Sequence, residues 1–296
     1  MKLLSFAEII WDVYPDTSVI GGSGLNFAAH ASMCGMDAWV MSAVGHDSFG
    51  DNAMLELDKF NLNKSFVKRN DFETGKCMVT LDKNGVPSFN VLKNVAYDNI
   101  SVSDEDIEII KREGFDAFYF GTLQQRSAVS RASILKILES CHFGEVFCDM
   151  NLRGGCYDEE SVKNVLSHAT ILKLSDEEAP LLDAFDFWKK KYSGADFAAR
   201  IFEDFPQIHT ILYTQGIEGS VVYLNDGEMI YIPAVKVKAV STVGAGDSYG
   251  AAYLSTYLMG KCPLDCGTIA AAVSSAVVAV KAAVPVYKLK DILGKH

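Results

Sequence analysis

The sequence predicts an α/β protein, a mostly parallel sheet with helices on both of its faces. Three observations carry that expectation. Strand-like apolar runs alternate with helix-like runs along nearly all of the 296 residues, the pattern of parallel strands joined by helical crossovers. Apolar residues make up 49% and charged residues 22% of the chain, the profile of a globular protein with a large core. Two further segments break the alternation with the period-two pattern of hairpins.

The elements follow in order. "LLSFAEIIWDV" (3–13) reads as a first strand, interrupted only by the charge of Glu8. "NFAAHASMCGM" (26–36) is a helix of small residues, "DAWVMSAVG" (37–45) a strand and "SFGDNAMLELDKF" (48–60) a helix. "FDAFYFGTL" (115–123) is a strand, and "SRASILKILESC" (130–141) a helix that Ser130 is placed to cap. "EVFCDMNL" (145–152), "TILKLS" (170–175) and "HTILYTQG" (209–216) are further apolar strands with helical patterns between them. The segment 74–94 alternates around Asn84-Gly85, and 219–235 around Asp226-Gly227, both strong hairpin turns. The first hairpin fits an edge pair or a flap over a site equally well. No fixed repeat, low-complexity tract or linker divides the chain, which reads as one domain over 1–296.

Charge and cysteines narrow the function. A formal net charge of −11 argues against nucleic acid and anionic membranes, whose binding needs basic surface. An anionic small molecule would need a local positive field built by the site itself. The seven cysteines contain no C-x-x-C, and Cys262 and Cys266 lack partners for a zinc pattern. They read as reduced, mostly buried thiols of a cytoplasmic protein. The N-terminus reads as a strand rather than a signal peptide, and "IAAAVSSAVVAV" (269–280) is too short to span a bilayer.

"STVGAGDSYG" (241–250) holds the most chemistry. Small residues at the start of a helix let an anion approach its free N–H groups. An acid there repels an anion, but makes sense if Asp247 takes the proton of a hydroxyl that attacks phosphorus. An ordinary helix-capping Asp after a glycine turn fits the same residues. At neutral pH an Asp is normally ionised, which would leave Asp247 ready to accept a proton. Neither "GAGDSYG" nor "GKC" (260–262) satisfies the dinucleotide or P-loop fingerprints.

Loops after strands supply the other candidates, because ligands of open parallel sheets bind beyond the carboxyl ends of the strands. Asp12 ends the first strand, and "GGSGLN" (21–26) follows with Gly22 and Asn26. Asp and Asn beside glycines suit a polyhydroxyl ligand, although Asn26 fits a helix cap as well. "CDMNLRGG" (148–155) carries Asp149, Asn151 and Arg153, and "KLSDEEAP" (173–180) carries Asp176, Glu177 and Glu178. Arginine suits phosphate and a carboxylate suits a magnesium shell, while acids at helix starts also match the dipole. His30, His46, His142, His168 and His209 form no motif with Ser, Cys or Asp and read as structural or surface residues.

Together these stretches resemble the ribokinase-like (PfkB) family of carbohydrate kinases. "GGSGLNFAAHASMCGMDAWVMSAVGHDSFG" resembles the family's N-terminal signature, "TVGAGDSYGAAYL" its C-terminal signature, and "CDMNLR" and "YTQGIEGS" its internal motifs. The resemblance implies a three-layer α/β/α domain with a small β lid, its segments at about 11–20 and 72–98. It implies Mg-ATP and transfer of the γ-phosphoryl group to a sugar hydroxyl. Asp247 would be the base and Gly244, Ala245 and Gly246 the anion hole. Asp12, Gly22, Asn26 and Arg153 would bind the sugar. Thr214, Gly216, Gly219 and Thr242 would line the nucleotide, and Glu178 would serve the magnesium ion.

Three departures qualify the resemblance. Ser175 stands where the family's magnesium-linked Asn-x-x-Glu has Asn. Ser241 stands where many members have an Asp linked to a monovalent cation, which implies weak potassium dependence. The short segment from Asp12 to Gly21, with "GTLQQRS", "DMNLR" and "VAYDNI", looks closest to fructokinase-like members. Fructose is therefore the leading acceptor, with ribose, 2-keto-3-deoxygluconate or a nucleoside as alternatives. A non-catalytic regulator on the same fold is the rival reading, and Asp247 with its glycines argues against it. A monomer or a lid-mediated homodimer is expected.

Overall fold

The computed structural model describes residues 1–81, 87–185, 192 and 196–294. Among these, nine strands build the main sheet. They are β1 (Lys2–Phe6), β4 (Asp37–Gly45), β5 (Asn63–Asn70), β8 (Ala117–Gly121), β9 (Glu145–Asp149), β10 (Ile171–Ser175), β11 (Thr210–Thr214), β12 (Ser220–Leu224) and β13 (Met229–Ile232). Their order is β13-β12-β11-β10-β9-β8-β1-β4-β5. The run from β11 to β5 is parallel, and only β12 and β13 are antiparallel.

Alternation along the strands divides the core in two. Leu4, Phe6, Phe118 and Phe120 face one buried cluster; Leu3, Ala117 and Tyr119 face the other. Helices α3 (Asp104–Glu113), α4 (Ala128–Ser140), α5 (Glu159–His168) and α6 (Phe197–Asp204) cover the first face. Helices α1 (Ser23–Met33), α2 (Ser48–Lys59), α7 (Ala245–Leu258), α8 (Pro263–Val278) and the short α9 (Leu289–Leu293) cover the second. The three-layer α/β/α architecture is as the sequence predicts.

A small separate sheet has the order β3-β2-β6-β7, from β2 (Ile10–Val13), β3 (Ser18–Gly21), β6 (Gly75–Leu81) and β7 (Pro87–Val91). The expected first strand is thus two strands in two sheets. The break falls at Ala7–Ile9, where Glu8 is fully buried. Its carboxylate accepts hydrogen bonds from Ser23 N (2.5 Å), Ser23 Oγ (2.6 Å) and the amide of Gln124. A charge that needs these partners cannot sit in an apolar ladder, so the chain leaves the main sheet there. The β6–β7 pair is antiparallel, but its expected turn at Asn84-Gly85 lies outside the described residues. The second hairpin is β12–β13, as expected.

Asp47 ties the small sheet down. It caps α2 through Gly50 N, and accepts from Thr74 N at 2.9 Å and Thr74 Oγ1 at 2.7 Å just before β6. The cap of α4 is Ser127, not Ser130. Ser130 lies fully buried inside that helix, where its hydroxyl donates to the Tyr97 carbonyl at 2.8 Å and accepts from Ile100 N at 3.1 Å. Ser130→Ala leaves both backbone groups buried without a partner. A loss of about 1–3 kcal/mol in urea unfolding is expected; an unchanged midpoint and slope would show that the hydroxyl contributes nothing.

Candidate active site

The first turn of α7 is where backbone comes closest to its surroundings. Gly244 precedes the helix with φ +82°, a left-handed conformation that glycine adopts without penalty. A Cβ there would stand 2.4 Å from the Ala283 carbonyl oxygen, one at 246 would stand 3.0 Å from Lys173 Nζ, and one at 250 2.8 Å from Phe147 Cζ. Side chains are missing because α7 lies directly on the sheet, with an ammonium group under its first turn. No side chain caps the helix. The Ala245 N–H reaches the Thr242 carbonyl at 3.3 Å, and the first helical bond runs from Ser248 N to Gly244 O at 2.9 Å. The N–H groups of Gly246 and Asp247 precede that bond and remain available to an anion.

Asn26 aims the Asp247 carboxylate. It lies within α1, not at its cap, and its Nδ2 donates to Asp247 Oδ2 at 2.8 Å. Its other amide atom, Oδ1, is buried without a protein partner. Helix α1 approaches because Gly22 (φ +117°) and Gly24 leave room: a Cβ at 22 would stand 2.1 Å from the Glu8 carbonyl oxygen, and one at 24 2.7 Å from Ala7 Cα.

Beneath this contact lies a buried ion pair. Lys173 Nζ on β10 is 3.0 Å from both carboxylate oxygens of Asp149 at the end of β9. Burial works against the ammonium, yet Asp149, Glu178 and Asp247 hold its pKa above the ordinary lysine range. Asp247 responds in the opposite sense. Burial, with the charges of Asp149 and Glu8, pushes its carboxyl up to about 7, against the hydrogen bond from Asn26 and the charge of Lys173. Against the expectation of full ionisation at neutral pH, Asp247 holds its proton more firmly than an ordinary Asp.

Glu178 closes the end of β10. Its oxygens accept from Leu152 N at 2.7 Å and Ser175 N at 2.8 Å. Among the described residues no cluster of three or more His, Cys, Asp or Glu side chains forms a metal cage. A magnesium ion carried by phosphates needs only one or two carboxylates, and each Glu178 oxygen retains a lone pair, so the residue fits that part.

A cavity of about 670 Å³ opens beside the α7 turn, lined by Thr214, Gly216, Gly219, Thr242, Ala245 and Gly246 among others. The four expected nucleotide residues thus share one pocket with the turn that bears Asp247. Asp12 stands in the small sheet, beside Cys77 of β6. Burial raises the Asp12 carboxyl, and Cys77 and the charge of exposed Arg153 oppose the shift. Arg153 also acts on Asp149, which sets it between the small sheet and the ion pair.

Comparison with known proteins agrees with this geometry. The pfkB family carbohydrate kinase description matches residues 13–287. The chain belongs to the pfkB family of carbohydrate kinases. Fructokinase-1 of Zea mays is 26% identical to this kinase over 273 residues, 85% of this chain and 81% of that one. The 2-dehydro-3-deoxygluconokinase of Dickeya dadantii is 25% identical over 254 residues, covering 81% of each. The Vibrio cholerae O395 fructokinase structure with fructose, ADP and calcium has the same fold, with a TM-score of 0.82 at 19% identity over 99% of this chain and 98% of that one. The kinase is accordingly a phosphotransferase with a hydroxyl acceptor.

Lys173 and Glu8 were not foreseen as members of the site. Lys173 had one signal, a lone charge inside the apolar strand "ILKLS". Asp149 stood in view at a strand end, without its partner. The raised Asp247 carboxyl has a consequence for stability. A folded pKa near 7, above the ordinary carboxylate value, means that the fold loses stability as pH rises toward 7 and does not regain it above. Asp247→Asn removes that cost while keeping an acceptor for Asn26. Thermal unfolding at pH 8 is expected to shift up by a few degrees, with the gain vanishing near pH 4; a lower midpoint at pH 8 would contradict it.

Proposed function

We propose that this kinase transfers the γ-phosphoryl group of Mg-ATP to a sugar hydroxyl, with fructose the leading acceptor. The observation that carries the reading is the Asp247 carboxylate. It is aimed by Asn26, and it stands on the α7 turn whose Ala245 and Gly246 line the cavity with Thr214, Gly216, Gly219 and Thr242. ATP phosphates would lie over the N–H groups of Gly246 and Asp247, which refines the expected hole of Gly244, Ala245 and Gly246. Gly244 makes the turn, and Ala245 keeps its own N–H on Thr242.

In the reaction the acceptor oxygen attacks the γ-phosphorus, its proton passes to Asp247, and the bond to the bridging oxygen breaks to release ADP. Charge growing on the transferred group meets the two amides, with the Lys173 ammonium behind them. Magnesium, when bound, neutralises charge on the phosphates, and Glu178 is the residue to hold it. Asn26 Oδ1 offers an acceptor to a sugar hydroxyl, with Asp12 on the far side and Gly22 shaping the loop between them. The small sheet would act as a lid that excludes water, from segments at about 11–20 and 72–98. A cytoplasmic site of action fits its reduced cysteines.

Two similarities support fructose: the maize relative, and the Vibrio cholerae fructokinase solved with fructose and ADP. One observation favours a second acceptor. Arg126 is bound to Asp98 through two contacts of 2.7 and 2.9 Å, whereas Arg153 is exposed with its charge on Asp12. That exposed cation suits a keto sugar acid such as 2-keto-3-deoxygluconate.

ADP release with Mg-ATP, measured across fructose, ribose, 2-keto-3-deoxygluconate and adenosine, names the acceptor. Asp247→Asn is expected to lower turnover by about 10²-fold or more; full activity in that variant would overturn the assignment of the base. The acid limb of kcat/KM is expected near pH 7, with activity lost below it as Asp247 binds a proton. Asp149→Asn, which removes a repelling charge, should move that limb to lower pH; an upward shift contradicts the account. With Ser241 in place of an Asp, exchange of sodium for potassium is expected to change turnover little, and strong activation by potassium would sink that expectation.

A further inference from the structure

Behind the α7 turn lies a polar cluster that the proposed chemistry does not use. His30 is fully buried on α1, one helical turn beyond Asn26. Its Nε2 lies 3.0 Å from the Ala283 carbonyl oxygen and its Nδ1 lies 3.0 Å from the Tyr287 hydroxyl. A carbonyl only accepts, so Nε2 carries the proton, and Nδ1 accepts from Tyr287. Burial keeps the ring neutral, pushing its pKa down to about 4. Ala283 is also the residue against which Gly244 packs: its carbonyl oxygen stands 2.4 Å, and its Cα 3.1 Å, from where a Gly244 Cβ would be. Tyr287 N donates to Met33 Sδ at 3.4 Å, so α1 grips the same segment at a second point.

We propose that His30 is a positioning residue for phosphoryl transfer: its Nε2–H holds the Ala283 carbonyl, and through it the backbone on which Gly244 turns to present the Gly246 and Asp247 amides. Helix α1 then sets both halves of the transfer site. Asn26 aims the base, and His30 fixes the platform of the anion hole. The inference rests on the proposed role of those amides and adds a residue that never touches substrate.

Two substitutions separate positioning from packing. A glutamine amide nitrogen reaches the place of Nε2, whereas an asparagine side chain reaches only that of Nδ1. His30→Asn is expected to lower kcat about 10- to 100-fold, the scale of a small misplacement of catalytic groups, with the acceptor KM unchanged. His30→Gln is expected to restore most of kcat. Equal losses in both variants, or full activity in both, would overturn the proposal. Hydrogen exchange of the 241–250 peptide gives a readout independent of turnover: His30→Asn should speed exchange there and His30→Gln should not. If no tested acceptor turns over in the unsubstituted protein, the functional reading fails. The exchange result still decides the role of His30, and unchanged protection in His30→Asn refutes it.

Discussion

Backbone contact without side chains is the constraint on which the site depends. Helices α1 and α7 can seat their N-terminal ends this closely only because Gly22 and Gly24 lie on Glu8 and Ala7, and Gly244 and Gly246 on Ala283 and Lys173, with no Cβ between. At Gly22, Gly24 and Gly244 the distances, 2.1 to 2.7 Å from a notional Cβ to its neighbour, leave no room for even a methyl group. From that approach follow the bond between Asn26 and Asp247, the seat of the turn on Lys173 and the support of Gly244 by Ala283. Glycine here is not a concession to flexibility. It is what allows a rigid arrangement to be this tight.

The second consequence is electrostatic. Glu8, Asp149, Glu178 and Asp247 influence one another around a single buried ammonium, Lys173. Four acids against one base is a poor arrangement for stability, since Glu8 and Asp149 are fully taken from water and none but Asp149 has a direct ionic partner in the cluster. The same excess of negative charge is what the proposed function would use, to receive a metal-bearing nucleotide and to raise a carboxyl. In an acidic chain the positive field is local: two free amides at a helix start, and Lys173 beneath them, where the proposed phosphates would lie.

How far the sequence led depended on whether a feature is local. Period and turn chemistry are local, so the parallel sheet, its helices and the β12–β13 hairpin were legible. The "GAGD" stretch stood out, but an ordinary cap fitted it as well, and only the structure shows that no side chain caps α7. What failed was what needs a partner far along the chain. Glu8 looked like an interruption within a strand, and only Ser23 and Gln124 explain why it divides two sheets. Ser130 looked like a cap, but its role is set by Tyr97 and Ile100. Asp247 looked ordinarily ionised because burial and Asp149, which sits 98 positions earlier in the numbering, leave no mark on its own neighbours in sequence.

Glu8 also shows how the two sheets are made to share one reference. Its residue lies at the break between β1 and β2, and its carboxylate holds the first residue of α1 and the loop after β8. Strand β3 then leads back into α1 through Gly22 alone. The helix that aims Asp247 through Asn26 is therefore fastened at its start to the root of the sheet that carries Asp12. The acceptor side and the transfer side are referred to one rigid element rather than to each other. Helix α1 is seated on that same segment through Gly24 on Ala7, and on the main sheet through Phe27 stacked on Tyr119. On the proposed reading, the acceptor and the group that takes its proton would both be positioned from the start of α1.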